Sequence, residues 1–375
     1  MRKLLLVVGV VAGVASAQER VDWETVGRIR LEATRNSQVM ETVQIMTDLL
    51  GPRLTNSPNM RRAELWAKET LEKWGLANVH LEGFEFGRGW TFSRCAVEMT
   101  KPTEAVLIAF PEAWSPGTNG RKLGEVVRVS LESEADLEQQ KGKLAGKIVL
   151  LSKAADIKPP EEPLFKRYKE EDLEELEQFP IRPPRDEEWR RQARKEWTFG
   201  RKRAEFLMAE GVIATVEVSS RDGGPVRVMG TPAYRIGFPE GVPALVMAAE
   251  HYNRLVRLVE KGEKVELAVE VDARFLDGDT KAYNVIAEIP GTDLKDQVVM
   301  AGAHFDSWHT GTGATDNAAS CAVVMEAARI LKSLGIKPRR TIRIALWNSE
   351  EQGLNGSRAY VCQHFACWEP QEKPK

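Results

Sequence analysis

Histidine and cysteine are scarce in this 375-residue chain, with 5 and 4 occurrences. Cys95, Cys321, Cys362 and Cys367 are too few and too scattered for a disulfide scaffold, and none lies in a Cys-x-x-Cys pair. Cys321 falls on the apolar face of a predicted helix and reads as a buried free thiol. Cys362 and Cys367 are near enough to bridge in an oxidising compartment, although nothing in the sequence requires it. Excess charge of either sign is also lacking. The 53 basic and 55 acidic residues leave a formal charge of -2, which gives no support for nucleic-acid binding. There is no Gly-x-Ser-x-Gly elbow, and no cysteine beside a histidine in the setting of a nucleophile, which sets aside a serine or cysteine hydrolase. Internal repeats and low-complexity tails are absent. No apolar run approaches the roughly 20 residues that cross a bilayer.

What is present begins at the N-terminus. Met1-Arg2-Lys3, an apolar run from Leu4 to Val14 and the small residues Ala15-Ser16-Ala17 have the pattern of a secretory leader cleaved after Ala17. A soluble, secreted or periplasmic protein with no membrane association after cleavage is expected. With 42% hydrophobic residues the chain can bury a sizeable core, and its length favours two or three domains.

Apolar spacing predicts a helix over 22–50, closed by Gly51-Pro52, and a second from Met60 to Trp74, with strands at Val79–Phe86 and Cys95–Met99. From about Val106 strand-like runs alternate with turns: Glu125–Val129, Lys147–Ser152, Val212–Val218, Ala244–Met247 and Lys264–Val271, with a helix from His251 to Glu260 before the last. Between the second and third runs lies a charged, proline-bearing stretch with helices predicted at Glu170–Glu177 and Asp186–Glu210. Its mixed charge reads as a solvated face, while Trp189, Trp197 and Phe206 give it a packing side. From Thr280 the order is strand (Tyr283–Ile289), strand (Val298–Ala303), helix (Asn317–Leu334) and strand (Thr341–Trp347). That βαβ texture implies an α/β sheet with functional groups at the C-terminal ends of its strands.

Three stretches at those ends carry chemistry. In Ala301–Ser307, His304 and Asp306 are two apart and so lie on one side of an extended chain, where Asp306 can fix the imidazole tautomer a metal needs. A lone His-x-Asp more often marks a satisfied structural histidine. In Gly311–Ala319, Asp316 stands at a helix entry, and an ordinary N-cap is the competing explanation. In Leu346–Gly353, Glu350 and Glu351 leave a strand in different directions, so one can bind metal while its neighbour handles a proton; an acidic turn is the plain alternative. Together the three supply an imidazole and hard carboxylates to one crevice, a donor set that suits zinc.

AGAHFDSW, GTGATDNAAS and LWNSEEQGLNGSRAY, in that order, resemble the signatures of the zinc-dependent aminopeptidase family of the zinc-exopeptidase class. The likeness is to its secreted members with an inserted protease-associated domain. It extends upstream to GPRLTNSPN and ELWAKETLEKWGLANVHLE, while LAGKIVLLS, RAEFLMAEGVIATVEVSS and VPALVMAAEHYNRLV are similar to the inserted domain. The resemblance implies a mixed β-sheet with helices on both faces, its catalytic domain in 18–105 and 275–365, and a β-rich insert over 106–274 with a charged helical insertion at 156–210. It also implies two zinc ions bridged by Asp316, with His304 on one, Glu351 on the other, Glu350 as general base and a peptide as substrate.

Two further ligands of that pattern, a downstream acidic residue and a histidine near the C-terminus, have no counterpart in the 24 residues after Glu351. His364 and His309 do not read as replacements, and 366–375 does not continue the fold, as a frameshift or premature stop would produce. The expectation is a C-terminally truncated catalytic domain that holds zinc weakly and exposes the faces of Ile342, Ile344 and Leu346. The rival reading is a non-catalytic binding protein on the peptidase scaffold, with the insert as interaction module.

Overall fold

The structure, a computed structural model, describes residues 21–158, 163, 165–178, 187–221 and 223–367. The leader expected at 1–17 lies outside the described residues, as does the end of the chain from 368. In chain order the first elements are α1 (Trp23–Arg35), α2 (Val39–Gln44), α3 (Pro58–Lys73), β1 (Ala77–Glu85), β2 (Gly89–Lys101), β3 (Ala105–Leu107) and β4 (Ala109–Pro111). Next come β5 (Lys122–Arg128), α4 (Glu134–Gln140), β6 (Lys147–Leu150), α5 (Glu170–Glu177), α6 (Glu187–Glu210), β7 (Ala214–Val218) and β8 (Ala244–Met247). The remainder are α7 (Ala249–Glu260), β9 (Glu266–Leu276), β10 (Lys281–Ile289), β11 (Leu294–His304), α8 (Ala319–Ser333), β12 (Arg340–Trp347) and α9 (Asn355–His364).

Two mixed sheets organise these elements. The smaller has the order β1-β10-β12-β11, antiparallel except for the parallel pair β11 and β12 that α8 connects. Side chains alternate across it, as strand geometry demands. Val285 and Ala287 of β10, with Ile344 and Leu346 of β12, face a core completed by Met60, Ala63, Ala67 and Leu71 of α3 and Cys321, Ala322 and Met325 of α8. Ile286 and Ala345 point the other way and meet Tyr360 of α9, so helices cover both faces. Helix α3 starts where the sequence signals a start. The Ser57 hydroxyl accepts the Met60 N–H at 3.1 Å, and Pro58 fills the first turn.

The larger sheet runs β3-β2-β9-β5-β6-β7-β8-β4, with a parallel centre from β5 to β8. Strand β2 pairs with β9 from Gly89↔Leu276 to Lys101↔Glu266, so this sheet draws on residues ahead of 106. Helix α7 seals one face through Tyr252, Leu255 and Val256. Helix α4, which periodicity did not predict, is closed by a capping box between Ser133 and Asp136.

Three expectations are corrected. The helix over 22–50 is broken at Asn36–Gln38, because the Gln38 N–H is taken by the Glu326 carboxylate (3.1 Å) and Arg329 donates to the Asn36 carbonyl (3.0 Å). Tertiary partners there replace the helix's own ladder, and the chain resumes as α2 and a π-helical turn over Ile45–Leu49. The helix expected from Asn317 begins at Ala319, since Asp316 and Asn317 hold non-helical angles. Ile344 and Leu346 are buried, and Ile342 packs against the same core, because β12 is an interior strand. The exposed apolar surface lies instead on the edge strand β11, where Val298, Val299 and Met300 are 45%, 53% and 38% exposed.

An apolar edge strand free of charge and proline over Val298–Ala303 is a template for pairing with another chain. Val299→Lys is expected to reduce concentration-dependent light scattering while changing unfolding free energy by less than about 0.5 kcal/mol. Equal scattering from parent and variant would refute this.

Candidate metal and catalytic site

His304 and Trp347 pair in register at the ends of the parallel strands β11 and β12, so the segments that follow them run side by side. The Phe305 N–H donates to the Trp347 carbonyl at 2.6 Å and continues the register past the last ladder bond. From α8, the Cys321 thiol donates to the His304 carbonyl at 2.9 Å.

Asp306 is fully buried. Its Oδ1 accepts the Glu350 N–H at 3.0 Å and its Oδ2 the Glu351 N–H at 3.1 Å, with the Thr55 hydroxyl 3.3 Å from Oδ2. The carboxylate thus clamps the acidic turn by its backbone. His304 Nδ1 lies 3.2 Å from the Asp306 carbonyl oxygen and 3.6 Å from its Oδ1, so the backbone carbonyl is the nearer acceptor. This leaves Nε2 directed at Asp316, whose Oδ1 is 2.8 Å away. Burial alone would depress the His304 pKa, but Asp306, and after it Glu350 and Asp316, lift it to about 9.

Asp316 does not cap α8. Its side chain is 73% exposed and turns to the imidazole. The loop before it follows from Arg53, whose guanidinium is completely buried and donates to the carbonyls of Phe305 (2.8 Å), Met46 (3.1 Å), Gly51 (3.2 Å), Thr312 (2.8 Å) and Gly313 (3.0 Å). Gly313 has φ +61°, and a Cβ there would meet Ser307 and, at 2.9 Å, Arg53 Nη2; the tight approach requires glycine.

The acidic turn rests on Asn348, also fully buried. Its amide donates to Glu64 Oε1 at 2.8 Å and its Oδ1 accepts the Ser349 N–H at 2.8 Å. Burial pushes Glu64 up to about 8 against the opposing pull of Arg61 and Asn348. Beyond this anchor the two glutamates differ. Glu351 Oε2 accepts the Trp308 indole N–H at 2.8 Å, and burial, followed by Asp316 and Asp306, pushes its pKa to about 7. The Glu350 carboxylate has no hydrogen bond or ion-pair partner among the described residues.

His304, Asp306, Asp316, Glu350 and Glu351 therefore gather at one end of the sheet, and their nitrogen and oxygen donors are the types zinc takes. Their placement falls short. Among the described residues no group of three or more His, Cys, Asp or Glu side chains is placed to hold a metal, and His304 and Asp316 satisfy one another. Neither His364 nor His309 adds a ligand. His364 Nε2 pairs with Glu82 at 2.7 Å. His309 Nε2 sits 2.7 Å from the Pro111 carbonyl, its ring edge-on to Trp90 and Phe92, and its buried Nδ1 has no partner. Cys362 and Cys367 are joined as a disulfide at the end of α9.

Arg53, Thr55, Trp308 and Asn348 were not singled out from the sequence. All four lie inside the stretches GPRLTNSPN, AGAHFDSW and LWNSEEQG, and that proximity was the available signal.

Residues 284–372 match peptidase family M28. Carboxypeptidase Q of Mus musculus is 26% identical over 327 residues, covering 87% of this chain and 61% of that protein. The chain thus spans about 61% of the length of such relatives. Leupeptin-inactivating enzyme 1 of Streptomyces exfoliatus is 40% identical over 87 residues, 23% of this chain and 20% of its own. Among solved structures, the peptidase M28 precursor from Shewanella amazonensis SB2B superposes with a TM-score of 0.59 at 25% identity, covering 92% of this chain and 71% of that one. A zinc aminopeptidase from Bacillus subtilis shares the fold, with a TM-score of 0.54 at 18% identity over 88% of this chain and 64% of its own. The chain resembles zinc exopeptidases of the M28 type and is similar to carboxypeptidase Q.

Two measurements test this arrangement. Asp306→Asn puts an amide NH2 against a backbone N–H and is expected to lower unfolding free energy by about 2–4 kcal/mol in denaturant titrations; a loss under about 1 kcal/mol would dismiss the clamp. His309 is held down to about 4 by burial, against the pull of the Pro111 carbonyl. Below pH 6.5 the unfolded imidazole takes a proton that the folded one refuses, so stability is lost as pH falls from 6.5 towards 4. Relative to the parent, His309→Phe should gain about 3 kcal/mol between pH 7 and pH 4. A pH-independent difference would contradict the buried neutral ring.

Proposed function

We propose that this M28-like chain is a zinc-dependent exopeptidase in design, acting on peptides near a free terminus, with Glu350 as the proton carrier. The observation that carries this reading is the contrast within the acidic turn. Glu351 is tied to Trp308, whereas Glu350 keeps a free carboxylate close enough to His304 to raise its pKa. A group meant to take a proton from attacking water and return it to a leaving amine needs that freedom. His304, Asp316 and Glu351 are the zinc-facing side chains in this proposal, and two ions bridged by Asp316 are its full form.

The described residues do not bring three metal-holding donors together. The same shortage supports weak zinc binding and feeble turnover in this chain. It also favours a second reading, a binding protein on a peptidase scaffold in which the 106–274 insert serves as the interaction surface. In either case the smaller sheet and its helices form the peptidase unit, with β2 (Gly89–Lys101), inside the expected 18–105, joined instead to the larger sheet, and the leader at 1–17 directs export. Among the described residues no helix is long and apolar enough to cross a membrane.

Zinc content and turnover on a free-amine peptide and its N-acetylated twin distinguish the readings. Less than one zinc per chain is expected, with slow cleavage of the free-amine peptide alone. Glu350→Gln should lower that residual rate by about 100-fold or more without changing zinc content. Two tightly held ions with fast turnover would overturn the impaired state, and a rate unchanged by Glu350→Gln would remove the assigned base.

A further inference from the structure

Away from that site, α6, β7 and the loop over 230–242 surround a cavity of about 360 Å³. Leu151, Leu207, Val242 and Phe238 give it apolar walls. Four charged side chains also line it. Glu240 is engaged by Arg88 at 2.8 Å. Glu112, from the segment after β4, Glu217 of β7 and Arg203 of α6 are not engaged: among the described residues none makes a side-chain hydrogen bond or an ion pair within 4.0 Å. They are near enough to feel one another, since Glu217 raises and Arg203 lowers the Glu112 pKa.

Glu112, Glu217 and Arg203 are half-buried, and charges partly withdrawn from water are ordinarily paired, because an unpaired one loses hydration with no return. Two carboxylates and a guanidinium turned to one cavity without closing on each other are arranged for a ligand bearing both signs. We propose that this cavity binds a free α-amino acid with an apolar side chain, its ammonium between Glu112 and Glu217, its carboxylate on Arg203, and its side chain against Leu207, Val242 and Phe238. The charge balance agrees. Burial, then Glu217, pushes Glu112 up to about 7, so at neutral pH its carboxyl carries only part of a charge facing the single guanidinium. The proposal does not depend on the peptidase reading.

Calorimetric titration of the whole chain with L-leucine, L-leucinamide and 4-methylpentanoate tests it. Leucine should bind saturably at one site, and each analogue, lacking one charge partner, at least about tenfold more weakly. Arg203→Met should erase the advantage of leucine over leucinamide, and Glu217→Gln its advantage over 4-methylpentanoate. Neither variant should melt below the parent, since each removes a charge without a partner. No heat with millimolar leucine, equal binding of leucine and both analogues, indifference to both substitutions, or a lowered melting temperature in the variants would each overturn the proposal.

Discussion

Asp306 is a buried carboxylate whose two oxygens each accept a backbone N–H from consecutive residues, and the rest of the site hangs on that arrangement. A side chain can hold another side chain loosely, but two amide bonds fix the plane of a turn. Glu350 and Glu351 therefore leave β12 with their carboxyl groups aimed before any contact of their own is made. The charge of Asp306 also raises the pKa of both His304 and Glu351. A carboxylate at this depth needs such donors, because an unsatisfied one costs several kcal/mol. Structure and electrostatics at this point are one constraint.

Arg53 is the complementary fixture. It spends its guanidinium on carbonyl oxygens of the segments ending at Met46, Gly51, Phe305, Thr312 and Gly313, all converging behind the loop that carries Trp308 and His309. Its hydrogen-bond acceptors are all neutral, and burial lowers its pKa, while Cys321 and Asp306 oppose that fall. The N-terminal helices are thus joined to the loop after β11 through one side chain. The loop in turn reaches the larger sheet. His309 donates to Pro111 at the end of β4, and Trp308 packs edge-on against Trp114. Motion of the larger sheet relative to the smaller would be felt at Trp308, and through its indole N–H at Glu351.

The convergence of His304, Asp316, Glu350 and Glu351 was legible because the strand ends and the helix entry of a βαβ unit meet at one edge. The strands of the smaller sheet were legible for a related reason: alternation and β-branched runs survive in β10 and β12. What the sequence could not give was partnership across long separations. Gln38 looks helical until Glu326, 288 residues away, takes its N–H. Arg53 looks like a solvated turn residue, since nothing local predicts a buried guanidinium with carbonyl partners from residues 305 to 313. The exposed apolar face was assigned to β12 because a truncated catalytic domain was expected to uncover it, but sheet order, invisible to periodicity, puts β11 at the edge.

The difference between the two adjacent glutamates follows from the same geometry. Side chains two residues apart on a strand share a face, and neighbours do not. Ser349, at φ +59°, reverses the chain immediately after β12, so Glu350 and Glu351 fan outward from the Asp306 clamp instead of alternating across a sheet. One of them falls within reach of Trp308, and the other lies near enough to His304 to raise its pKa. Binding and proton transfer ask for opposite properties: a ligand must be held still, and a base must be free to reorient between water and leaving group. A single clamp on the backbone, with a single indole on one side chain, leaves one carboxylate held and its neighbour free.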